Sequence, residues 1–383
     1  MALQADQGFT SRFRPDKYPG GEISKDEAQI RLLEVLPGKG DDTIRCNIRC
    51  VKLDAIKEAD ALSYTWGVPP ATNTIFVNDV PFRIRKNLFN ALIHLIQPSS
   101  GTVLWIDAIC INQSDIDEQN HQVKQMADVF SRARRVLVWL GLETESSQEA
   151  LSFLSYAYLR SPSNRRELMD DPRWAALKEI CEMEYWKRVW IAQEICLASR
   201  VVICCGRQKI PWKYVSELWK DRKHIWPQYL SPGERDFMRS LPSRIDQHKE
   251  ARLKGGSILW TLLENFKDSL GQEVHDKIYG FMGLSTDCSG HGLTVDYAKP
   301  VDQIYRDVVW FYYEKFRGDS SSHHTAQLMK LSEFLQTLLA IVLYLTTICR
   351  KPSQGSNLHI LFSDSPGSLG PSDRHLFQYQ HVT

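Results

Sequence analysis

The stretch Val103-Leu-Trp-Ile-Asp-Ala-Ile-Cys-Ile-Asn-Gln113, continuing as Ser114-Asp-Ile-Asp-Glu-Gln-Asn-His-Gln-Val-Lys-Gln-Met-Ala-Asp-Val-Phe-Ser-Arg-Ala133, decides the fold. Its first half is a near-continuous apolar run rich in β-branched and aromatic residues, as expected of a strand buried on both faces. Asp107 interrupts the run where a carboxylate would leave the sheet, and in open α/β sheets ligands bind beyond the carboxyl ends of the strands. In the second half Val123, Met126, Ala127, Phe130 and Ala133 recur at three- and four-residue spacing, which predicts a helix with one apolar face. Arg135-Val-Leu-Val-Trp-Leu-Gly141 then reads as a second buried strand. Strand, helix, strand is a βαβ unit. The expected class is therefore α/β, with a mainly parallel sheet over residues 59–206 flanked by helices and the strands at 103–107 and 135–140 side by side.

Upstream of this unit, residues 1–28 are polar and read as a flexible N-terminus. Residues 29–58 supply strands that pack on the core, Gln29 to Leu36 and Ile44 to Leu53. Ala61 to Trp66 is a further strand, and Thr74 to Ile84 a hairpin turning at Asn78-Asp79. Asn87 is placed to cap a helix running to Gln97, with Leu88, Ala91, Leu92 and Leu95 on one face.

Downstream, helices are expected over Ala150 to Leu159, after Asp171-Pro172, and from Pro211 to Trp219, with a strand at Arg200 to Gly206. The charged, proline-broken segment from Asp221 to Gly256 reads as a connector or an exposed helical insertion. Pro300 to Phe316 is a helix by its apolar spacing. Together these make residues 197–317 a mostly helical extension. Leu331 to Cys349 approaches the length of a bilayer span, about 20 residues, and carries one charge, Glu333. Its polar residues share one helical stripe, which fits a packed or partner-binding helix better than a membrane span. The tail from Pro352 to Thr383 is rich in Ser, Gly and Pro and reads as disordered, so residues 318–383 are expected to be a helix and a disordered tail.

The whole chain has 383 residues, 43% of them apolar, and a net charge of +1, as for a globular protein with no global bias toward nucleic acid or an anionic membrane. Nine scattered cysteines include no C-x-x-C pair, and no histidine pair completes a zinc pattern, so no metal site is expected. The polar start carries no signal peptide, and free thiols fit the cytoplasm. There is no G-x-G-x-x-G, Walker loop or G-x-S-x-G, which removes support for dinucleotide oxidoreductases, P-loop NTPases and serine hydrolases.

Candidate chemistry gathers at the predicted sheet edge. Glu118 is a carboxylate on the first helical turn, able to act on a ligand held against Asp107. Asp115 three residues earlier gives the competing reading, a capping box. Asn112 and Gln113 shape the turn before that helix, and their amides could bind a polar ligand. Tyr64 and Trp66 end a strand on the same edge, where an aromatic ring stacks on a base or covers the core. Gln119 and Gln122 face the same way. Cys110 has no neighbouring His to activate it, so packing is the stronger reading. Trp186, Val189 and Trp190 sit at packing distance on one helical face, with Arg188 and Glu194 available for an ion pair or a cleft.

Several of these blocks carry a family resemblance. Ala61-Leu-Ser-Tyr-Thr-Trp-Gly67, Leu104-Trp-Ile-Asp-Ala-Ile-Cys-Ile-Asn-Gln113, Arg135-Val-Leu-Val-Trp-Leu-Gly141 and Trp186-Lys-Arg-Val-Trp-Ile-Ala-Gln-Glu194 resemble, in order and spacing, the successive blocks of the fungal heterokaryon-incompatibility (HET) domain. The likeness spans about residues 59–196. Asp276-Lys-Ile-Tyr-Gly-Phe-Met-Gly-Leu284 resembles a block found downstream in that family, with His275 where an Arg usually stands. The resemblance implies a cytoplasmic fungal protein of allorecognition and innate immunity whose domain triggers or executes programmed cell death. HET domains are in turn remotely similar to TIR domains, flavodoxin-like modules of which some cleave NAD at the nicotinamide glycosidic bond using a glutamate. On that resemblance Glu118 and Asp107 are the catalytic candidates, Tyr64, Trp66, Asn112 and Gln113 the ligand-binding ones, and NAD is a substrate rather than a resident cofactor. The competing reading is a non-catalytic module that signals by self-association or by binding a protein partner. The chain has no WD, ankyrin or TPR period.

Overall fold

The computed structural model describes residues 18–38, 43–95, 101–160, 168, 171–225, 227–288, 292–317, 322–339, 344–348 and 359–363. In chain order the elements open with β1 (Gln29–Val35), β2 (Arg45–Lys52), β3 (Asp60–Tyr64), β4 (Asn73–Val77), β5 (Val80–Ile84), α1 (Lys86–Leu95) and β6 (Thr102–Trp105). Next come α2 (Asp107–Cys110), α3 (Ile116–Arg132), β7 (Arg135–Trp139), α4 (Glu145–Leu159), α5 (Trp174–Cys181), α6 (Ile191–Leu197), β8 (Val201–Cys205) and β9 (Gln208–Pro211). The rest is mainly helical: α7 (Lys213–Arg222), α8 (Pro232–Arg239), α9 (Leu241–Arg252), α10 (Leu259–Asn265), α11 (Asp276–Met282), α12 (Val301–Phe316) and α13 (Ser322–Leu339), then β10 (Tyr344–Ile348) paired with β11 (His359–Ser363).

The α/β class holds, and the sheet differs from expectation in two ways. It has nine strands in the order β5-β4-β2-β1-β6-β3-β7-β8-β9. It is mixed rather than mainly parallel: β6, β3, β7 and β8 run parallel, while β1 and β9 join this block antiparallel. Nor are the strands at 103–107 and 135–140 neighbours. β3 lies between them, pairing Ala61 with Trp105 on one side and Val136 on the other. Every residue of β3 is buried, Asp60 and Ser63 included, so this strand takes the most enclosed place in the sheet. Numbered among themselves, the four parallel strands run 2-1-3-4.

Local chemistry accounts for most of the elements. Asn78 and Asp79 both have positive φ, 50° and 61°, and so form the primed hairpin turn between β4 and β5. α1 starts one residue before Asn87, whose amide is not a cap. Instead Asn87 Nδ2 donates to the Thr65 carbonyl at 2.6 Å and its Oδ1 accepts from Trp139 Nε1 at 3.0 Å, cross-linking α1 to the ends of β3 and β7. α4 begins earlier than its apolar spacing suggests because Thr144 and Ser147 close a capping box. Pro211 ends β9 rather than opening a helix; an edge strand tolerates a residue without an N–H.

The segment 221–256 is packed rather than exposed. Ile245 and Phe237 are core residues, and Arg222 and Glu234, both buried, are paired at 3.0 Å. At the C-terminal end α13 stops at Leu339, and Tyr344–Ile348 is a strand, so the 331–349 stretch is not one helix. Among the described residues no helix is long and apolar enough to cross a membrane. Residues 1–17 and most of 352–383, read above as flexible or disordered, lie outside the described residues.

Candidate functional site

At the carboxyl ends of β3 and β6 the structure opens a cleft of about 370 Å³, within the usual range for small-molecule sites. One wall is built from Thr65, Trp66, Gly67, Asp107, Gln113 and Arg188, with Gln119, Val123 and Met126 of α3 and Trp190 alongside. The strand β6 ends at Trp105 and the chain turns at once into the single-turn helix α2, which puts Asp107 on the rim of the sheet. Its Oδ2 accepts from Trp66 Nε1 at 2.9 Å and its Oδ1 from the Ala108 N–H at 2.7 Å. Trp66 is held in turn by Arg85, which stacks over the indole at 5.4 Å and donates to the Gly67 carbonyl at 2.9 Å. Gly67 has φ +76°, and a Cβ there would lie 3.2 Å from Asn87 Cβ, so this turn requires glycine.

Behind Asp107 lies a buried polar chain. Arg188 Nη2 meets Glu194 Oε1 at 3.2 Å, and the Glu194 carboxylate also accepts from Ser63 Oγ, which contacts the Tyr185 hydroxyl. Burial raises the pKa of Glu194 from its ordinary value, opposed by the Arg188 charge and the Ser63 hydrogen bond. Asp107 is raised in the same way, burial outweighing Arg188 and hydrogen bonds from Trp66, Ala108 and Tyr64. One guanidinium thus serves two carboxylates, and the cleft holds a carboxyl group whose proton is more tightly bound than usual.

The opposite wall comes from Leu270, Gly271, Gln272, Glu273, Asp276 and Tyr297. It is stitched to the first by two backbone bonds, Val189 N to Leu270 O at 2.9 Å and Leu270 N to Lys187 O at 2.6 Å. Asp276 Oδ2 accepts from the Glu273 N–H at 2.9 Å and Oδ1 from the Tyr297 hydroxyl at 2.8 Å. Tyr297 N donates to Asn120 Oδ1 on α3 at 2.9 Å, and His275 stacks on its ring at 5.5 Å. At Gly283 a Cβ would lie 2.7 Å from Ala127 Cβ and 3.0 Å from Gln193 Oε1, so the end of α11 seats directly on α3 and α6. Gly283→Ala is therefore expected to destabilise by about 1–3 kcal/mol, the usual scale of overpacking. Chemical denaturation of the two proteins side by side measures it, and an unchanged midpoint would show that this contact can relax freely.

The structure gathers Trp66, Asp107, Gln113 and Gln119 in the cleft and leaves Glu118, Asn112 and Tyr64 out of its lining. Glu118 is buried beneath the loop, with both oxygens on Arg31 of β1: Arg31 Nη1 to Oε1 at 2.5 Å and Nη2 to Oε2 at 2.9 Å. Half of the capping box forms, since Asp115 Oδ1 accepts from the N–H groups of Asp117 and Glu118. The reciprocal half is displaced: Glu118 Oε1 accepts from the Asn112 N–H at 2.6 Å instead of reaching Asp115. Arg31 also donates to the Cys110 carbonyl at 3.1 Å, and Tyr18, over which its guanidinium stacks, donates to the carbonyls of Ile109 and Ile111. Arg31, Glu118 and Tyr18 therefore grip from behind the loop that presents Asp107 and Gln113.

Asn112 spends its side-chain oxygen on Ser114, and Gln122 donates to the Gln29 carbonyl rather than entering the cleft. Tyr64 is fully enclosed, its hydroxyl among the groups bonded to Asp107. Cys110 is buried and its thiol pushed up to about 12 by burial, so it is no thiolate nucleophile at neutral pH. Among the described residues no cluster of His, Cys, Asp and Glu could hold a metal ion. The residues that sequence reasoning did not foresee are Arg31 and the far wall. A charged residue set inside the apolar run Ile30-Arg-Leu-Leu33 was the available signal for the first.

Residues 60–194 match the family model described as heterokaryon incompatibility protein (HET). The chain is also similar to heterokaryon incompatibility protein 6, OR allele, of Neurospora crassa, at 26% identity over 366 aligned positions covering 78% of this chain. It spans about half, 53%, of that relative's length. No solved structure matches. The matched region supplies the wall with Trp66, Asp107, Gln113 and Arg188; Arg31 and the wall from 270 to 297 lie outside it.

Proposed function

We propose that this chain, which carries a heterokaryon-incompatibility domain over residues 60–194, serves fungal non-self recognition by setting off programmed cell death, and that it does so by cleaving NAD in the cleft at Asp107. The observation that carries the second step is the Asp107 carboxylate, fixed by Trp66 and Ala108 at the carboxyl edge of parallel strands and facing a cleft that also holds a cation and two indoles. The 2-1-3-4 order of those strands is the one found in flavodoxin-like sheets, whose ligands bind at this edge, and so supports the TIR-like reading.

The chemistry asks little of the protein. Nicotinamide leaves its ribose as a neutral molecule and needs no proton, so the demand is to stabilise the cation that develops at the anomeric carbon and to admit water. Ionised Asp107 supplies the negative charge, and its raised pKa makes it a better acceptor for the proton of the attacking water. Trp66 and Trp190 offer faces for a pyridinium ring, and Arg188 a charge for a phosphate. The products are nicotinamide, ADP-ribose and a proton. The part that a glutamate plays in TIR domains falls here to Asp107, because Glu118 is tied to Arg31.

Purified protein incubated with NAD is expected to release nicotinamide, followed by chromatography, and Asp107→Asn to release little. A folded protein that leaves NAD intact would overturn the catalytic reading and leave a module acting through protein contacts.

A further inference from the structure

The amino ends of the parallel strands form a second groove, at the edge of the sheet opposite the cleft. It measures about 340 Å³ and is lined by Asp60, Leu95, Gly101, Thr102, Arg134, Arg135, Leu137, Arg200 and Lys209. Topology concentrates the charge. Arg134 and Arg135 lead into β7 and Arg200 into β8, and these strands are parallel neighbours with Val136 opposite Val201, so their basic lead-ins arrive side by side. Lys209 comes back along β9, opposite Cys204.

Asp60, the first residue of β3, is fully buried and takes both arginines through their inner nitrogens. Arg134 Nε lies 2.8 Å from Oδ1, and Arg135 Nε and Nη2 lie 3.0 and 2.9 Å from Oδ2. One arginine would neutralise one carboxylate. Here four cations line the groove with it, an excess of three, and among the described residues neither Arg200 nor Lys209 is ion-paired. A further carboxylate, Glu34, reaches Gly101 at the rim without lining the groove. Like charges held this close repel one another, so the fold carries the arrangement at some loss of stability.

We propose that this groove binds a phosphate group: a soluble phosphate ester or pyrophosphate, or the phosphorylated headgroup of a lipid. Guanidinium forks match phosphate oxygens in pairs, and Asp60 holds two of them in place before the ligand arrives, which removes part of the ordering loss on binding. Arg200 and Lys209 supply charge that no ion pair among the described residues neutralises. The floor at Leu137 is apolar and accepts the carbon side of an ester.

The test uses the full chain with pyrophosphate as probe, against chloride and sulfate at equal ionic strength. Pyrophosphate is expected to raise the melting temperature and to bind by calorimetry. The double variant Arg200→Gln with Lys209→Gln should bind it at least tenfold more weakly, and without ligand should melt no lower than the parent because repulsion is relieved. Both side chains are exposed, so folding is not at stake. No shift in the parent, or an equal shift in the variant, would overturn the site. Vesicles of phosphatidylcholine with and without a phosphatidylinositol phosphate separate the two sources: retention that pyrophosphate competes away assigns a headgroup, pyrophosphate binding without retention assigns a soluble ester, and retention that neither pyrophosphate nor the variant reduces counts against the proposal. Nicotinamide release should be unchanged in the variant, which keeps this outcome separate from that of the cleft.

Discussion

Replacing Arg31 with methionine is expected to lower the free energy of unfolding by about 3–5 kcal/mol, because it leaves the buried Glu118 carboxylate without its partner. Removing both, as Arg31→Met with Glu118→Met, should recover much of the loss, since a buried pair exchanged for well-packed apolar groups is often close to neutral. The recovery is capped by the Asn112 N–H and the Cys110 carbonyl, which lose their side-chain partners in the double variant. Glu118→Gln separates two roles. As a capping residue alone, the substitution would lower stability by about 1 kcal/mol at most. As the counter-ion of a buried arginine it should do clearly more, because the uncompensated charge is then Arg31. Urea unfolding of the parent, Arg31→Met, Glu118→Met and the double variant, analysed as a mutant cycle, gives the coupling directly, with Glu118→Gln measured beside them. A coupling near zero would mean that the pair is solvated and the loop is held by its backbone alone.

The second large effect is on chemistry. Asp107→Asn is expected to reduce nicotinamide release by at least about 10²-fold, the scale for removing one electrostatic contact to a developing charge. Stability should move the other way. Burial raises the folded-state pKa of Asp107, so the native protein binds this proton more tightly than the unfolded chain does. The contribution is favourable below the ordinary aspartate value of 3.8 and is lost as pH climbs from there through the raised folded value. The parent should therefore be less stable relative to the Asn variant at neutral pH than at pH 4. Melting curves of both proteins across that interval provide the check. A parent that gains on the variant with rising pH would mean that Arg188 and the hydrogen bonds outweigh burial.

How much of this could be read from residues alone depends on how local the cause is. The Asn78-Asp79 hairpin was readable because positive φ at two adjacent positions is a property of those residues. Asp107 at the strand end was readable because a carboxylate in an apolar run has few places to go. The insertion of β3 between β6 and β7 was not, since parallel neighbours are chosen by distant packing and nothing in Ala61-Leu-Ser-Tyr64 names its partners. Glu118 shows the two levels in competition. The Asp115-to-Glu118 spacing foretold a box, and half of it closed, but Arg31 arrives from 87 residues upstream and takes the carboxylate. The far wall of the cleft, with residues from Leu270 to Tyr297, depends on contacts with α3 and with the backbone of residues 187–189 that no spacing rule reaches.

The position of β3 also governs the order in which the chain can fold during synthesis. Both of its neighbours are encoded later, at 102–105 and 135–139, so the most enclosed strand has no partner until residue 105 has left the ribosome and keeps one side bare until residue 139 has. β1 and β2 can pair early, yet the inner edge of β1 stays bare until Leu104 arrives to meet Leu33. Nascent chains with fewer than about 140 residues outside the ribosome therefore display an apolar strand and an open sheet edge together, the combination that most readily recruits other chains. Translation that stalls in this window yields a sticky fragment and a client for chaperones, whereas a few dozen residues more allow β7 to close the centre of the sheet in one step.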